Sequence, residues 1–369
     1  MPWTVDWRVT VDGSDVSVNM RPCLLDIEVT DKDGAASDTC SLTFDDTDGQ
    51  VMLPKSGAKV RVFLQGAQVF SGTVDSARSS GSRGGGRTLK VTAKGFDSRG
   101  KVKEPQGFHK DDATLQDFLD QAAKNAGLTG VKIGGDLGSI RRDYWAADGE
   151  SFLQIGQKLA RELDATFKIR AGDGGDIAVL QPRDRTPLAA VAGIVGVNVI
   201  SWDIEPFAGR KAFTKAKVRY FDRKAATFKT EEVALDKGGD APEATNLVRI
   251  AAADKDQAKA IGNARKSESE RESGGGSVEM DLTVAAQAEA PFTLAGARPG
   301  VDGTYRITSV RHSASRSGGA TTSLELKQPQ DGAGKDTRGK SGSGSAAATP
   351  SAGGSGALPS GPGGFLPGI

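Results

Sequence analysis

The chain has 369 residues, with 48 lysines and arginines against 47 aspartates and glutamates, a formal net charge of +1. This balance excludes the basic footprint of a typical nucleic-acid-binding protein and the acidic excess of a solvating tail. The length allows two or three domains with cores of their own, and the 49 glycines favour many turns over a helical bundle.

The N-terminal sequence MPWTVDWRVTVDG alternates apolar and polar residues from its start. A signal peptide would instead begin with a basic region followed by an apolar core. The longest apolar run, residues 188–200, is shorter than the ~20 residues that a membrane span needs. We therefore expect a soluble protein made in the cytoplasm.

Cys23 and Cys40 are the only cysteines. Two buried, reduced thiols are the expectation for an intracellular product, and a disulfide stays open if the two residues lie on neighbouring strands.

Residues 1–100 contain short segments in which apolar and polar residues alternate, and this period of two predicts strands. The predicted strands are Val5 to Val11, Val16 to Met20, Leu25 to Val29, Cys40 to Phe44, Val60 to Leu64 and Leu89 to Ala93. Turn signals such as Asp12-Gly13 and the Ser/Gly-rich segment Ser79 to Arg87 separate them. Residues 1–100 are therefore predicted to form a first β-barrel or sandwich domain.

From residue 101 the period becomes helical. Thr114 and Asp117 have the spacing of a capping box, and Gly127 is placed to end the helix that follows. Short strands are predicted at Val131 to Ile133 and, after a second helix, at Thr166 to Ile169. Residues 101–195 are therefore predicted to form a small α+β domain.

The second helix lies within Tyr144 to Arg170. Its apolar stripe is formed by residues at steps of three and four, namely Phe152, Ile155, Leu159 and Leu163. Asp148 is the predicted N-cap, Glu150 is expected in the first turn, and Asp164 is expected in the left-handed conformation that ends a helix. This helix is a packing element, which favours a protein without catalytic activity.

Strands return over residues 196–328. They are predicted at Val197 to Ile204, Ala216 to Phe221, Thr227 to Leu235, Val278 to Val284, Tyr305 to Val310 and Thr322 to Leu326. A charged helical segment, Asp254 to Glu272, interrupts them. This region is predicted to be a second β-barrel domain with an inserted helix.

Residues 329–369 are rich in Gly, Ser, Ala and Pro and are predicted to be a disordered tail. The tail ends in three apolar residues, Phe365, Leu366 and Ile369. A protein-docking tip and a plain hydrophobic terminus are both open interpretations of these residues. The whole chain is thus predicted to be mostly β, with two β-barrel domains flanking a small α+β domain.

No motif predicts a catalytic, cofactor-binding or metal site. His109 has Asp111 and Asp112 nearby, but adjacency in sequence is weak support for a triad, and an exposed loop histidine is favoured. His312 is expected to end a strand and to pack or cap a turn. Asp45, Asp46 and Asp48 lack the offsets of a calcium loop and predict a surface turn. The four tryptophans, at positions 3, 7, 145 and 202, are scattered and are expected in cores or interfaces rather than in a sugar site.

Three stretches, in the same order as the β, α+β, β plan, resemble the late control protein D family of contractile-tailed phages. They are Cys40 to Asp75, the helix from Glu150 to Leu163, and the closing segment Gly300 to Leu326. Members of this family are tail or baseplate hub proteins, similar in fold to the first part of the VgrG spike proteins of type VI secretion.

The resemblance implies a structural, non-enzymatic protein of the virion tail. It implies a homotrimer whose two barrel domains alternate around a pseudo-sixfold ring, joining the tail tube to the trimeric central spike and leaving a channel for DNA in transit. Tape-measure and baseplate wedge proteins are further implied partners, and assembly is expected in the host cytoplasm. A cell-wall-degrading or polysaccharide-binding tail protein is the alternative.

Overall fold

Twenty-one strands and four α-helices make up the computed structural model, which describes residues 3–172, 174–183, 188–207, 214–235, 245–336 and 338. All of these elements lie in the unit formed by Met1–Asp336. The strands are β1 (Trp7–Val11), β2 (Ser14–Asp15), β3 (Leu24–Lys32), β4 (Thr39–Asp45), β5 (Lys59–Leu64), β6 (Ala67–Ser82), β7 (Gly86–Lys94), β8 (Pro105–Thr114), β9 (Gly130–Ile133), β10 (Arg141–Ser151), β11 (Ala165–Gly172), β12 (Gly175–Pro182), β13 (Val191–Ile194), β14 (Val199–Glu205), β15 (Lys215–Asp222), β16 (Thr227–Ala234), β17 (Thr245–Ala252), β18 (Gly275–Asp281), β19 (Pro291–Ala295), β20 (Gly303–Ser315) and β21 (Gly319–Gln330). The helices are α1 (Ser17–Met20), α2 (Leu115–Asn125), α3 (Phe152–Glu162) and α4 (Lys255–Arg271).

One long sheet joins strands from residues 7–94 to strands from residues 191–330. Its strands follow the order β14-β18-β21-β20-β3-β4-β7-β6-β5-β1-β2, and β19 adds β13 beside β20. The pairing of β20 with β3 joins residues 309–315 to residues 26–32. The sheet thus contains two adjacent blocks of four strands, which we call the C-terminal block (β14, β18, β21, β20) and the N-terminal block (β3, β4, β7, β6).

Three main hydrophobic clusters follow the order of the sequence. The first is centred on the N-terminal block, the second on α2, α3 and the strands around them, and the third on the C-terminal block. Helix α4 packs on the separate three-stranded sheet β16-β15-β17 through a smaller fourth cluster. The mostly β architecture with an α+β region in the middle is as predicted, and the division into domains at residues 100, 195 and 328 stays a prediction.

The start of α3 differs from the prediction. Ser151, not Asp148, is the N-cap: its side-chain oxygen accepts the Gln154 N–H, and the Gln154 side chain accepts the Ser151 N–H at 2.8 Å. Asp148 and Glu150 lie instead in β10, because the segment before the helix pairs with β8. The predicted left-handed residue after the helix is confirmed, with φ of 47° at Asp164.

Two other predictions need correction. Val16 to Met20 was predicted as a strand, but residues 17–20 form α1, whose first N–H is accepted by the Asp15 carboxylate at 2.9 Å. The Ser/Gly-rich segment 79–87 is mostly strand, because β6 continues to Ser82 and β7 begins at Gly86. The capping box of α2 and the charged helix α4 are confirmed.

Candidate interaction surfaces

His109, His312 and Asp45 occupy structural positions in the fold. His109 is exposed as predicted, but it lies on β8 rather than in a loop, and it stacks on Tyr144, with ring centroids 5.7 Å apart. His312 lies within β20 rather than at its end, is buried, and places Nδ1 3.0 Å from the Thr322 hydroxyl. Asp45 accepts the backbone N–H of Thr47, as expected for a turn. The fold does not bring His109, His312 and Asp45 together into one site.

The cysteines are not bonded to each other, and Cys40 is buried whereas Cys23 is half-buried. Burial raises the pKa of the Cys40 thiol far above its ordinary value. Within the described residues, no group of three or more His, Cys, Asp or Glu side chains could hold a metal ion. No helix in that part of the chain is long and apolar enough to cross a membrane. Phe365, Leu366 and Ile369 lie outside the described residues.

Several strand segments of the long sheet have an unpaired side in the part of the chain that the structure describes, including β2 at one end of the strand order, and two of them differ in chemical character. Strand β14 pairs with β18 on one side, and residues 200–205 have no strand on the other. Strand β6 pairs with β5 only up to Thr73, so Asp75–Ser82 pairs with β7 alone. We call these segments the β14 edge (residues 200–205) and the β6 edge (residues 75–82). Unpaired N–H and C=O groups along a strand form a template for another strand.

The β14 edge is apolar on one side and acidic on the other. Trp202 pairs with the buried Val278 and therefore lies on the side of the sheet that carries the core, yet it is 41% exposed. Ile200 is 54% exposed. Asp203 pairs with Ser277, and side chains alternate along a strand, so Asp203 and Glu205 lie on the opposite side.

The β6 edge is polar and basic. Ser76 and Ser80 hydrogen-bond across to hydroxyls of β7 at 2.6 and 2.9 Å, on the side opposite the core. Arg78, between them, pairs with Lys90. From residue 76 to residue 96 the sequence has five basic residues and no acidic one: Arg78, Arg83, Arg87, Lys90 and Lys94. Only Lys94 has an ion pair among the described residues, with Asp75 at 3.0 Å.

A cavity with a mostly apolar lining, which also includes Asp12, Asp45, Asp46 and Asp48, opens on the core side of the sheet beside the β6 edge. Its volume is about 820 Å³, and its lining includes Val74, Leu89 and Val91. Leu89 and Val91 are the register partners of Ser79 and Ala77 on the β6 edge. The loop over the cavity carries Met52 and Leu53, which are 88% and 66% exposed. Exposed apolar groups of this size beside an apolar cavity are typical of an interaction surface.

No protein-family model matches the sequence. The chain is 28% identical to a probable baseplate hub protein of Escherichia phage 186 over 171 residues, which is 45% of this chain and 43% of that protein. The chain thus spans less than half the length of this curated relative. The similarity supports the resemblance to phage baseplate hub proteins found in the sequence.

The fold is also that of solved phage tail proteins. The 43 kDa tail protein of prophage MuSo2 from Shewanella oneidensis matches with a TM-score of 0.67 at 17% identity, over 88% of this chain and 98% of that one. A component of the type VI secretion system of E. coli, described as structurally similar to tail proteins of bacteriophage T4, matches with a TM-score of 0.58 at 10% identity, over 89% of this chain and 78% of that one. At these identities the matches establish the fold alone.

Proposed function

We propose that this chain is a baseplate hub protein of a contractile phage tail or of a related injection particle, with a structural rather than a catalytic role. The observation that carries the proposal is the combination of sequence similarity to a phage hub protein with the fold of tail proteins over most of the chain. As a hub it belongs in the virion tail, between the tail tube and the central spike.

The proposed assembly is a homotrimeric ring with pseudo-sixfold symmetry. Two four-stranded blocks lie side by side in one sheet, so three copies would contribute six blocks, enough to match a sixfold tube above and a threefold spike below. A ring also needs a different surface on each side of a subunit, because head-to-tail contacts close into rings. The β14 edge and the β6 edge differ in this way, which supports the proposal.

The proposed channel for DNA lies along the face of the sheet opposite the core, which we call the polar face. On β3 and β20 this face carries Glu28, Thr30, Arg311 and Ser313. Arg311 pairs with Glu28 at 2.5 Å, so its charge is compensated. Along β3 and β20, this wall of hydroxyls and paired charges would be wetted by water and would offer few free cations to phosphate, which favours passage over retention.

Light scattering on the purified full-length chain tests the ring. The expected mass is about 115 kDa, three times the 38.3 kDa of the chain. Class averages of stained particles are expected to have a central hole. A monomer or a dimer at all protein concentrations would contradict the trimer, and release of peptidoglycan fragments or sugar binding by the pure protein would favour the cell-wall alternative.

A further inference from the structure

We propose that the β14 edge of one copy pairs with the β6 edge of the next copy, so that the sheets of neighbouring copies join into one. This inference rests on the proposed ring and names the surfaces that would close it. The occupant of each edge is therefore a second copy of this chain.

Strand direction supports the pairing. From β14 to β6 there are eight strands, and every neighbouring pair is antiparallel. The first and last of eight alternating strands run in opposite directions. A β14 edge placed against the β6 edge of the next copy therefore forms another antiparallel pair, the pattern of the rest of the sheet.

The charges on the polar face also support the pairing of the β14 edge with the β6 edge. In a continued sheet, Asp203 and Glu205 of one copy come beside Arg78 and Lys90 of the next, because all four side chains lie on the face opposite the core. Neither Arg78 nor Lys90 has an ion pair among the described residues of its own chain. Opposite charges across strands stabilise a pairing, and like charges would oppose it. Two β14 edges would bring acidic residues together, so a twofold contact is disfavoured.

The apolar groups on the core side of the sheet support the same pairing independently. Trp202 lies on this side of the β14 edge, and the apolar cavity opens on the same side of the β6 edge, next to Leu89 and Val91. Joining the edges brings the exposed indole of one copy to the cavity of the next. Burial of a tryptophan in an apolar pocket is a common anchor of protein interfaces.

Disulfide trapping tests the pairing directly. Ser76 and Ser80 lie on the polar face of the β6 edge and Ser201 on that of the β14 edge. Side chains directly opposite each other on paired strands are close enough for a disulfide. We expect S76C/S201C or S80C/S201C to give a covalent trimer on a non-reducing gel after mild oxidation, whereas each single variant, facing a serine, gives none.

Charge reversal gives a second readout that does not depend on register. In the D203K/E205K variant, the protein concentration at which the trimer dissociates is expected to rise at least tenfold. Adding R78E/K90E should return this concentration to the wild-type value. Glu325→Lys is the matched control, since Glu325 is an exposed residue of β21, away from both edges. It should leave the mass unchanged.

The outcomes separate the pairing from the ring. A wild-type trimer with neither trapping nor charge rescue would overturn the pairing and leave the ring standing. Covalent dimers from a single-cysteine variant would point to a twofold contact and would also overturn it. A wild-type monomer, untrapped by either double variant, would reject both.

Discussion

At the scale of single residues, His312 is held neutral by its surroundings. The Thr322 hydroxyl lies 3.0 Å from Nδ1 of His312 and also accepts the Thr283 N–H at 2.8 Å. Burial lowers the pKa of His312 to about 4, and the attraction of Asp31 opposes this only in part. The ring therefore stays uncharged in the folded chain at pH values where the unfolded chain is protonated.

This predicts a loss of stability in acid. Above pH 6.5 the histidine is neutral in both states. As the pH falls from 6.5 to 4, only the unfolded chain takes up the proton, and the free energy of unfolding falls by about 3 kcal/mol. Urea unfolding at several pH values should give a steeper decline for the wild type than for His312→Gln. His109→Gln, at an exposed position, should show the same decline as the wild type. If the free energy of unfolding depended on pH in the same way in the wild type and both variants, the assignment to His312 would be wrong.

The buried Lys168 joins three parts of the chain through ion pairs with half-buried carboxylates. Its ammonium contacts Asp31 on β3 and lies 3.1 Å from Asp38, and Asp31 also accepts the N–H of Ala288 at 2.9 Å. Burial alone would lower the pKa of Lys168, but the attraction of Asp38 and Asp31 raises it. The same attraction lowers the pKa of Asp31, although burial opposes it. Lys168 is therefore charged at neutral pH.

Lys168→Met should be strongly destabilising, because it removes a buried cation from between two half-buried carboxylates. The expected loss is about 3–5 kcal/mol in the free energy of unfolding, measured by denaturant titration. Lys158→Met is the control: the Lys158 side chain, 2.7 Å from Glu150, is 56% exposed against 9% for Lys168, so this pair should contribute less than about 1 kcal/mol. A loss of similar size in both variants would show that burial does not decide the effect.

At the scale of elements, Gly156 lets α3 pack closely on β11. A Cβ atom at this position would lie 2.4 Å from the ring of Phe167, which is buried and makes an edge-to-face contact with Phe152. In a helix alanine is about 1 kcal/mol more favourable than glycine, whereas overpacking a core costs about 1–3 kcal/mol. The close contact should therefore outweigh the helix preference.

Gly156→Ala is accordingly predicted to lower the free energy of unfolding by up to about 2 kcal/mol. Gly107→Ala is the comparison, since a Cβ there would meet no atom within 4 Å. Thermal unfolding of the two variants and the wild type would measure the difference. A Gly156→Ala protein as stable as the wild type would mean that the Phe167 ring moves aside at little cost.

The helices could be predicted because their signals are local. The Thr114–Asp117 capping box and the apolar stripe of α3 each lie within a few residues. The two-stranded sheet of β8 and β10 was missed because most of its side chains face solvent, so neither strand alternates apolar and polar residues clearly. Asp148 was wrongly predicted as the N-cap because the segment before α3 lacks the clear alternation of apolar and polar residues that predicts a strand.

At the scale of the whole molecule, the strand containing Trp202 could be predicted from its sequence, but its place in the sheet could not. A single chain does not reveal which strands will be neighbours when roughly 280 residues separate them, as for β3 and β20. The exposure of Trp202 and the open side of the β6 edge both follow from that long-range order. The resemblance to hub proteins supplied the function class, and the two edges became visible only in the fold.

The pairing of β3 with β20 also sets an order of events during synthesis. Lys32 pairs with Ser309, so the ribosome adds roughly 280 residues between the two partners, which takes about 15–55 s at 5–20 residues per second. During that interval β3 can pair with β4 but has no neighbour on its other side. The nascent chain thus carries an open strand through most of its translation, and the two blocks join only when its last strands emerge.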